Sequence, residues 1–334
     1  MRFGLLSIIT LICLPFGAIA EDLDISGYQD KDGAITNGYK GDTVDPYFAT
    51  KALLTAQDAG LKIQKPAKAW VKWAIHAQRN DGLFERYKRD NQGYWHIYAP
   101  ADADDAISAM WVELLYRLAP DSGLPEAWKK SVDSAEEQLA ALYDDELGIY
   151  HISEKLSVGL LMDNVEVYAA FKSIALQQKR FGNEKEAKVY NEKAEDLGNN
   201  ILNVFKQKNS DKFLISTQPR TEVKFYPDKV AQIYPLLYPL QDNLVEQNVY
   251  WKWIKSNGKE WMTQRIVDYT WGLVAIASLN MGDNYSALCW QSHAEPMRYS
   301  VHWNVLEEVT LQAVKLHMHV TGDDKKIPCV GGEL

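Results

Sequence analysis

Three aspartates stand within four positions at the start of an apolar, helix-forming run: Asp102, Asp104 and Asp105 in "PADADDAISAMW" (100–111). One aspartate at a helix start caps free N–H groups and contributes about 0.5–2 kcal/mol. Three carboxylates exceed what a cap needs. Carboxylates gathered in a partly dry cleft shift each other's pKa, so that one serves as an acid and another as a base. We therefore predict that Asp102 and Asp104 face a cleft while Asp105 caps the helix.

Other carboxylates precede further apolar helical runs. Asp45, Asp163 and Asp228 stand at three such starts, and Glu307 and Glu308 lie near another. For a lone aspartate such as Asp163, simple capping is the main alternative to a functional role. Glycoside hydrolysis needs paired carboxyl groups, because one protonates the leaving oxygen and the other activates water or attacks the anomeric carbon.

Aromatic residues in the loops between helical segments suit the apolar faces of sugars. Most of the 11 tryptophans and 18 tyrosines of the chain are expected in the core, so only loop positions are informative. Trp95 and Trp303 are the strongest candidates, and Tyr98 is a further loop tyrosine. The predicted substrate contacts are Tyr94, Trp95, Tyr226, Trp303, His302, Asp105 and Asp163.

The elements that must position these residues are helical. Strand signals are few, and "FLIST" (213–217) is the best of them. Segments that are apolar nearly all round alternate with segments that carry one apolar stripe and a charged face. Helical spacing of apolar residues predicts an all-α chain with helices over 45–60, 65–78, 104–119, 124–143, 161–181, 184–206, 229–240, 244–256, 264–281, 284–293 and 304–320.

The apolar segments recur at a regular spacing. They begin at Asp45, Asp104 and Asp163, each 59 residues after the last, and then near Asp228, Gln264 and Asn304. Six buried helices, each followed by a surface helix except the last, predict a six-hairpin α/α toroid. The N-termini of its inner helices open at one end, which gathers the acidic residues there. No linker divides the chain, so residues 21–334 are predicted to form a single catalytic-type domain.

The segment "DADDAISA" (102–109) resembles the signature of family-8 glycoside hydrolases. Asp102, Ala103, Asp104 and Ile107 match that signature. The resemblance implies an α/α barrel that cleaves a polysaccharide or oligosaccharide with inversion. It also implies that Asp102 holds the substrate ring at the cleavage point.

Two further segments bear on this resemblance. "FYPDKVAQIYPLLYPL" (225–240) is similar to the family's stretch with the catalytic base, which implies that Asp228 is the base, although Gln232 replaces an arginine. The family's general acid is a glutamate ahead of the first inner helix. The corresponding "GDTVDPYFATKALL" (41–54) has no glutamate, so Asp42 or Asp45 is predicted to take that role.

Two alternative functions remain open. A lyase or epimerase on an acidic sugar needs a Tyr/His pair and a cation, and Tyr299, His302 and Arg298 lie together in "PMRYSVHW" (296–303). The second alternative is a non-catalytic polysaccharide-binding protein. It is supported by Thr43, which stands at the position expected for the general acid.

The first 20 residues predict export. A charged start, a short apolar core and "AIA" before Glu21 are typical of a signal peptide cut after Ala20, without stable membrane insertion. Removal of Arg2 changes 36 basic against 45 acidic residues to 35 against 45, a net charge of −10. This charge disfavours nucleic acid as a partner. We expect a periplasmic or extracellular protein, a monomer, with carbohydrate as its partner.

Two cysteines remain after that cleavage, Cys289 and Cys329. An oxidising compartment permits one disulfide between them. No cluster of cysteine and histidine has the spacing of a zinc site, so no metal site and no cofactor is predicted.

Overall fold

The computed structural model describes residues 21–101, 103–208, 210–240, 243–266 and 268–322, together with Cys329. The predicted signal peptide (1–20) lies outside the described residues. Inner and outer helices alternate along the chain, as the sequence predicts. The inner helices are α1 (Pro46–Asp58), α3 (Asp104–Leu118), α5 (Leu161–Arg180), α7 (Tyr234–Leu237), α10 (Gly272–Asn280) and α12 (Val305–Thr321).

The outer helices follow their inner partners in the chain. They form a jacket whose solvent face is charged and whose inner stripe is buried. Their bounds are α2 (Gln64–Ala77), α4 (Glu126–Ala141), α6 (Glu184–Phe205), α8 (Asn243–Trp253) continued by α9 (Lys259–Met262), and α11 (Asn284–Ala294).

The inner helices close a ring. Each packs against the next in the order α1, α3, α5, α7, α10 and α12, and α12 returns to pack against α1. This closure confirms the predicted six-hairpin toroid. The 59-residue spacing also places equivalent side chains together at the opposite end of the ring: Arg117 pairs with Asp58, and Arg180 pairs with Asp121.

Two inner helices are shorter than predicted. Helix α7 covers only four residues of the predicted 229–240, because Pro235 permits a helix start and Pro239 ends the helical stretch. Helix α10 begins at Gly272 rather than near Gln264, since Gln264 and Trp271 both adopt left-handed backbone angles with φ of 53°. The chain therefore reaches α10 through a loop.

A small antiparallel sheet was not predicted. Its strands, in the order β1 (Thr43–Val44), β2 (Glu85–Arg89) and β3 (Trp95–Pro100), lie beside the start of α1. Strands β2 and β3 are charged or exposed, so they lack the apolar alternation that identifies a strand. Two further strands, β4 (Tyr143–Asp144) and β5 (Ile149–Tyr150), form a short hairpin, whereas the predicted strand 213–217 makes only isolated bridges.

Cys289 and Cys329 are joined in a disulfide, with their Cα atoms 5.4 Å apart. His293, one turn after Cys289, lies beside both sulfurs, so these three side chains can bind a metal ion only when the disulfide is reduced. Within the described residues, no helix is both long enough and apolar enough to cross a membrane.

Candidate active site

The N-termini of the inner helices surround one end of the ring, which we call the mouth. Every inner helix places an acidic or aromatic side chain there, either in its first turns or in the loop before it. The mouth consists of Asp45 before α1, Asp105 of α3, Asp163 of α5, Tyr226 before α7, Trp271 before α10, and Glu307 of α12.

Asp105 and Asp163 form a coupled pair on neighbouring helices. The Asp105 side chain is wholly buried, and its Oδ1 accepts the N–H of Ala106 at 2.9 Å. Burial, together with the charge of Asp163, raises the pKa of Asp105 well above its usual range. Asp163 is 5 % exposed. Both effects favour the protonated form of Asp105.

Glu307 projects from the first turn of α12 to the start of α10. Its Oε2 accepts the N–H of Gly272 at 2.8 Å and the hydroxyl of Thr270. Burial raises the pKa of Glu307 to about 7, although these hydrogen bonds act in the opposite direction. A carboxyl group with this pKa can donate a proton and take it back near neutral pH.

A polar column lies one helical turn below the mouth. Glu166 of α5 accepts a hydrogen bond from the Tyr47 hydroxyl at 2.9 Å and forms an ion pair with Lys51 of α1. The Lys51 ammonium also lies 3.3 Å from the Tyr234 hydroxyl. Burial lowers the pKa of Lys51 to about 7, while Asp163 favours its charged form. The column therefore places a cation and two phenols under the carboxylates of the mouth.

The opposite side of the mouth is aromatic. Tyr226 stacks on Trp271 with ring centroids 4.6 Å apart and planes 15° from parallel, and Tyr226 is 43 % exposed. Tyr269 packs edge-on against Trp271. Burial raises the pKa of Tyr269, and the charges of Asp268, Glu307 and Asp45 add to this effect. An exposed ring supported by a second ring is a suitable platform for a sugar face.

The two residues predicted as alternative acids have different surroundings. Asp45 caps α1 through the Tyr47 N–H and accepts a hydrogen bond from Arg86 Nε at 2.8 Å. An acceptor so engaged is less suited to proton donation than Glu307. Asp42 is exposed on the outer side of β1 and lies 3.7 Å from Lys88.

The other predicted carboxylates have different surroundings: the charge of Asp104 helps to raise the pKa of Asp105, whereas Asp228 lies in the turn before α7. Asp102 lies outside the described residues. Asp104 is half-buried, and its N–H donates to the carbonyl of Ile152 at 2.9 Å. Asp228 lies in the π-helical turn before α7, where its carboxylate accepts the N–H of Lys224 at 3.0 Å and pairs with Arg220 at 3.5 Å.

Of the predicted aromatic contacts, Tyr94 is exposed, whereas Trp95 and Trp303 are packed against other residues. Tyr94 is 66 % exposed near the β2–β3 turn, but Trp95 packs edge-on against Trp73 of outer helix α2 and donates to Asp32. Trp303 is 2 % exposed and donates to Glu308 at 3.1 Å, so its ring is not free to stack on a sugar.

The predicted tyrosine–histidine–arginine group lies around Glu308. Arg298 donates two hydrogen bonds to Glu308, at 3.0 and 2.7 Å, and also stacks over Tyr299. His302 follows in the same loop and is half-buried. The engaged guanidinium is a poor candidate for neutralising a uronate.

Two residues of the polar column gave little signal in the sequence. Lys51 and Glu166 are single charges within apolar helices, 115 residues apart, and nothing local pairs them. A lysine within the apolar run "FATKALL" (48–54) is nevertheless unusual enough to mark a buried partner.

No protein-family model matches this sequence, and no curated protein is similar to it at a significant level. Solved structures do match. A rhamnosidase from Klebsiella oxytoca with rhamnose bound aligns with a TM-score of 0.59 at 12 % identity, over 86 % of this chain and 60 % of that one. This chain therefore spans about 60 % of the length of the rhamnosidase.

A second protein, described as a glycosidase, aligns in its wild-type form with a TM-score of 0.55 at 13 % identity, over 87 % of this chain and 94 % of that one. Its E335A variant in complex with glucose aligns with a TM-score of 0.54 at 12 % identity, over 89 % and 94 %. This chain has the six-hairpin fold of these glycosidases. At such low identity the likeness concerns the fold, and the kinship with family 8 stays a prediction.

Proposed function

We propose that this protein is a glycoside hydrolase whose active site is the mouth of the ring. The observation that carries the proposal is the convergence there of buried carboxyl groups in different electrostatic surroundings. Asp105 and Glu307 have raised pKa values, whereas Asp163 is adjacent to a cation. The glycosidase folds reported above and the exposed Tyr226 platform support the same function.

In this proposal Glu307 is the general acid and Asp163 is the general base. Their helices occupy the sixth and third positions in the ring, so the two groups lie on opposite sides of the mouth. Glu307 protonates the glycosidic oxygen as the bond to the anomeric carbon breaks. Asp163 takes a proton from the water that attacks from the other face. Two such groups on opposite sides give inversion in a single displacement.

The neighbours of Asp163 suit it to this role. Burial and the charge of Asp163 raise the pKa of Asp105, which favours the protonated form of Asp105. The Lys51 ammonium below stabilises that charge without occupying the mouth, because Glu166 holds it in the column. The resemblance to family 8 would add Asp102 as the residue that holds the sugar ring, and it would give the base role to Asp228 instead.

The test is hydrolysis of a polysaccharide and aryl-glycoside panel by the wild type and three variants. Glu307→Gln and Asp163→Ala should each lower kcat by about 10²–10⁴. Azide should partly restore turnover to Asp163→Ala and yield a glycosyl azide. Glu137→Gln, an exposed change on outer helix α4, is the matched control and should keep full activity.

Three outcomes would refute the proposal. If folded wild-type protein hydrolyses nothing on the panel but binds a polysaccharide, the binding-protein alternative stands. If Asp228→Ala loses activity while Asp163→Ala keeps it, the base is Asp228 and the mouth assignment is wrong. Product with a new double bond would instead support the lyase alternative. Export to the periplasm or the medium remains part of this proposal, based on residues 1–20.

A further inference from the structure

A large groove lies beside the mouth, and we call it the side groove. It has a volume of about 1020 Å³. One wall is the loop that joins α6 to α7, with Phe213, Thr217 and Arg220, and the other is the end of α8 with the π-helical turn after it, with Trp253 and Asn257. None of these residues belongs to the proposed acid–base machinery.

Backbone hydrogen bonds connect the side groove directly to the mouth. Leu161 N–H donates to Ile215 at 3.0 Å, and Thr217 N–H donates to Gly159 at 3.0 Å. The groove wall is therefore hydrogen-bonded to the segment that leads into α5 two residues before Asp163. The groove is thus next to the segment from which α5 and Asp163 begin.

The charges of the groove neutralise each other. Arg220 pairs with Asp228, Lys229 pairs with Glu260 at 3.0 Å, and Lys252 pairs with Asp211. In the described part of the lining, the further lysine is Lys212, which is exposed at the rim. A uronate or phosphate ligand needs cations that face it without an acidic partner. The groove is poorly suited to an anionic chain.

The groove has the groups that a neutral sugar chain needs. Its exposed apolar side chains are Leu214 and Val223, whereas Phe213 and Trp253 are buried. Hydroxyl and amide groups on Ser216, Gln218 and Asn257 also line the groove. Sugar hydroxyls can exchange hydrogen bonds with such groups, and the faces of the sugar rings can cover the exposed apolar side chains. Gln232 stiffens this wall, since its amide bonds both the N–H and the carbonyl of Phe213.

We propose that the side groove binds the extended part of a neutral, hydroxyl-rich oligosaccharide whose end or scissile bond lies at Asp163. The inference rests on the proposed hydrolase and names its substrate class. It predicts that affinity grows with chain length, because units beyond the mouth occupy the groove.

Affinity gel electrophoresis tests the inference independently of turnover. The probes are gels with β-glucan, mannan, xylan or starch as neutral chains, and polygalacturonate as the anionic chain. The protein is Glu307→Gln, so that hydrolysis does not interfere. Ser256→Trp, added in this background, narrows the groove from an exposed position of its lining, and Lys255→Trp is the matched control on the same turn outside the lining.

We expect at least one neutral polysaccharide to retard Glu307→Gln, and Ser256→Trp to weaken that binding by about tenfold or more. Lys255→Trp should not change it. Circular dichroism spectra and melting temperatures close to those of Glu307→Gln would show that both tryptophan variants fold. The inference would be overturned if only polygalacturonate retards the protein, or if none of the polysaccharides does. It would also be overturned if Ser256→Trp leaves the retardation unchanged.

The hydrolysis panel separates this failure from failure of the proposed function. Cleavage of aryl glycosides with no binding to any neutral polysaccharide refutes the groove assignment and leaves the hydrolase intact. Binding that depends on Ser256 without any cleavage refutes the hydrolase and supports the groove.

Discussion

The Glu307 carboxylate, on the sixth inner helix, accepts a hydrogen bond from the N–H of Gly272, the first residue of the fifth. The Glu307 side chain thus connects α12 to α10 and accepts a free N–H group at the N-terminus of α10. The same carboxyl group is buried at the mouth with a pKa near neutrality. Its structural and chemical roles are therefore coupled, and its titration affects both.

Stability should depend on pH through Glu307. Its pKa in the fold, about 7, exceeds the ordinary value of 4.5, so the folded chain binds more protons than the unfolded chain between those pH values. The resulting stabilisation is fully present below about pH 4.5 and is lost as the pH rises through 7. Its size is on the order of 3 kcal/mol. Urea unfolding from pH 4.5 to 8 should show this loss in the wild type and a flatter profile in Glu307→Gln. Parallel profiles would contradict the assignment.

The Lys51–Glu166 ion pair should be costly to break from one side only. Glu166→Gln leaves the buried Lys51 ammonium without its carboxylate, and Lys51→Met leaves the buried Glu166 carboxylate without its ammonium. Each variant should therefore lower the free energy of unfolding by about 3–5 kcal/mol. The double variant should lose less than the sum, because no uncompensated charge remains. Chemical denaturation of the four proteins measures the coupling, and simple additivity would show that the pair does not act as a unit.

The aromatic platform should bind substrate rather than perform chemistry. Tyr226→Ala removes the exposed ring that Trp271 supports, and it should raise KM about fivefold with little change in kcat, as expected for a loss of roughly 1 kcal/mol of stacking. Tyr285→Ala, a half-buried tyrosine in the first turn of outer helix α11 at the other end of the ring, should change neither constant. An unchanged KM for Tyr226→Ala would show that the Tyr226 ring does not bind substrate.

The disulfide should be present in exported protein. The denatured, unreduced chain should contain no titratable thiol from Cys289 and Cys329, which are 40 residues apart. Cys329→Ser should lower the free energy of unfolding by about 4 kcal/mol on the chain-entropy estimate for a loop of this length. Two free thiols in the unreduced protein would contradict the pairing.

The Asp102 prediction stands on the sequence. Asp102→Asn should abolish turnover and leave the melting temperature nearly unchanged, because asparagine keeps a capping side chain and loses the charge. A lower melting temperature with unchanged activity per folded molecule would assign the aspartate cluster to capping alone.

The architecture was predictable from the sequence because it depends on local and repeated patterns. An apolar helix and an amphipathic helix alternate, and the 59-residue spacing of Asp45, Asp104 and Asp163 recurs in the fold. Where prolines and left-handed residues interrupt the pattern, at α7 and α10, the predicted bounds were wrong. The strands β2 and β3 carried no apolar alternation and were missed.

The identity of the chemical groups depended on tertiary structure. Glu307 and Gly272, or Lys51 and Glu166, are far apart in the chain, and only ring closure brings them together. Burial is likewise a property of the closed ring, and it shifts the pKa of Asp105 and Glu307 in ways that spacing does not reveal. The sequence by itself determined a six-hairpin ring with acids at one end. The tertiary structure decided which acids hold a proton, because desolvation acts only on groups that the fold removes from water.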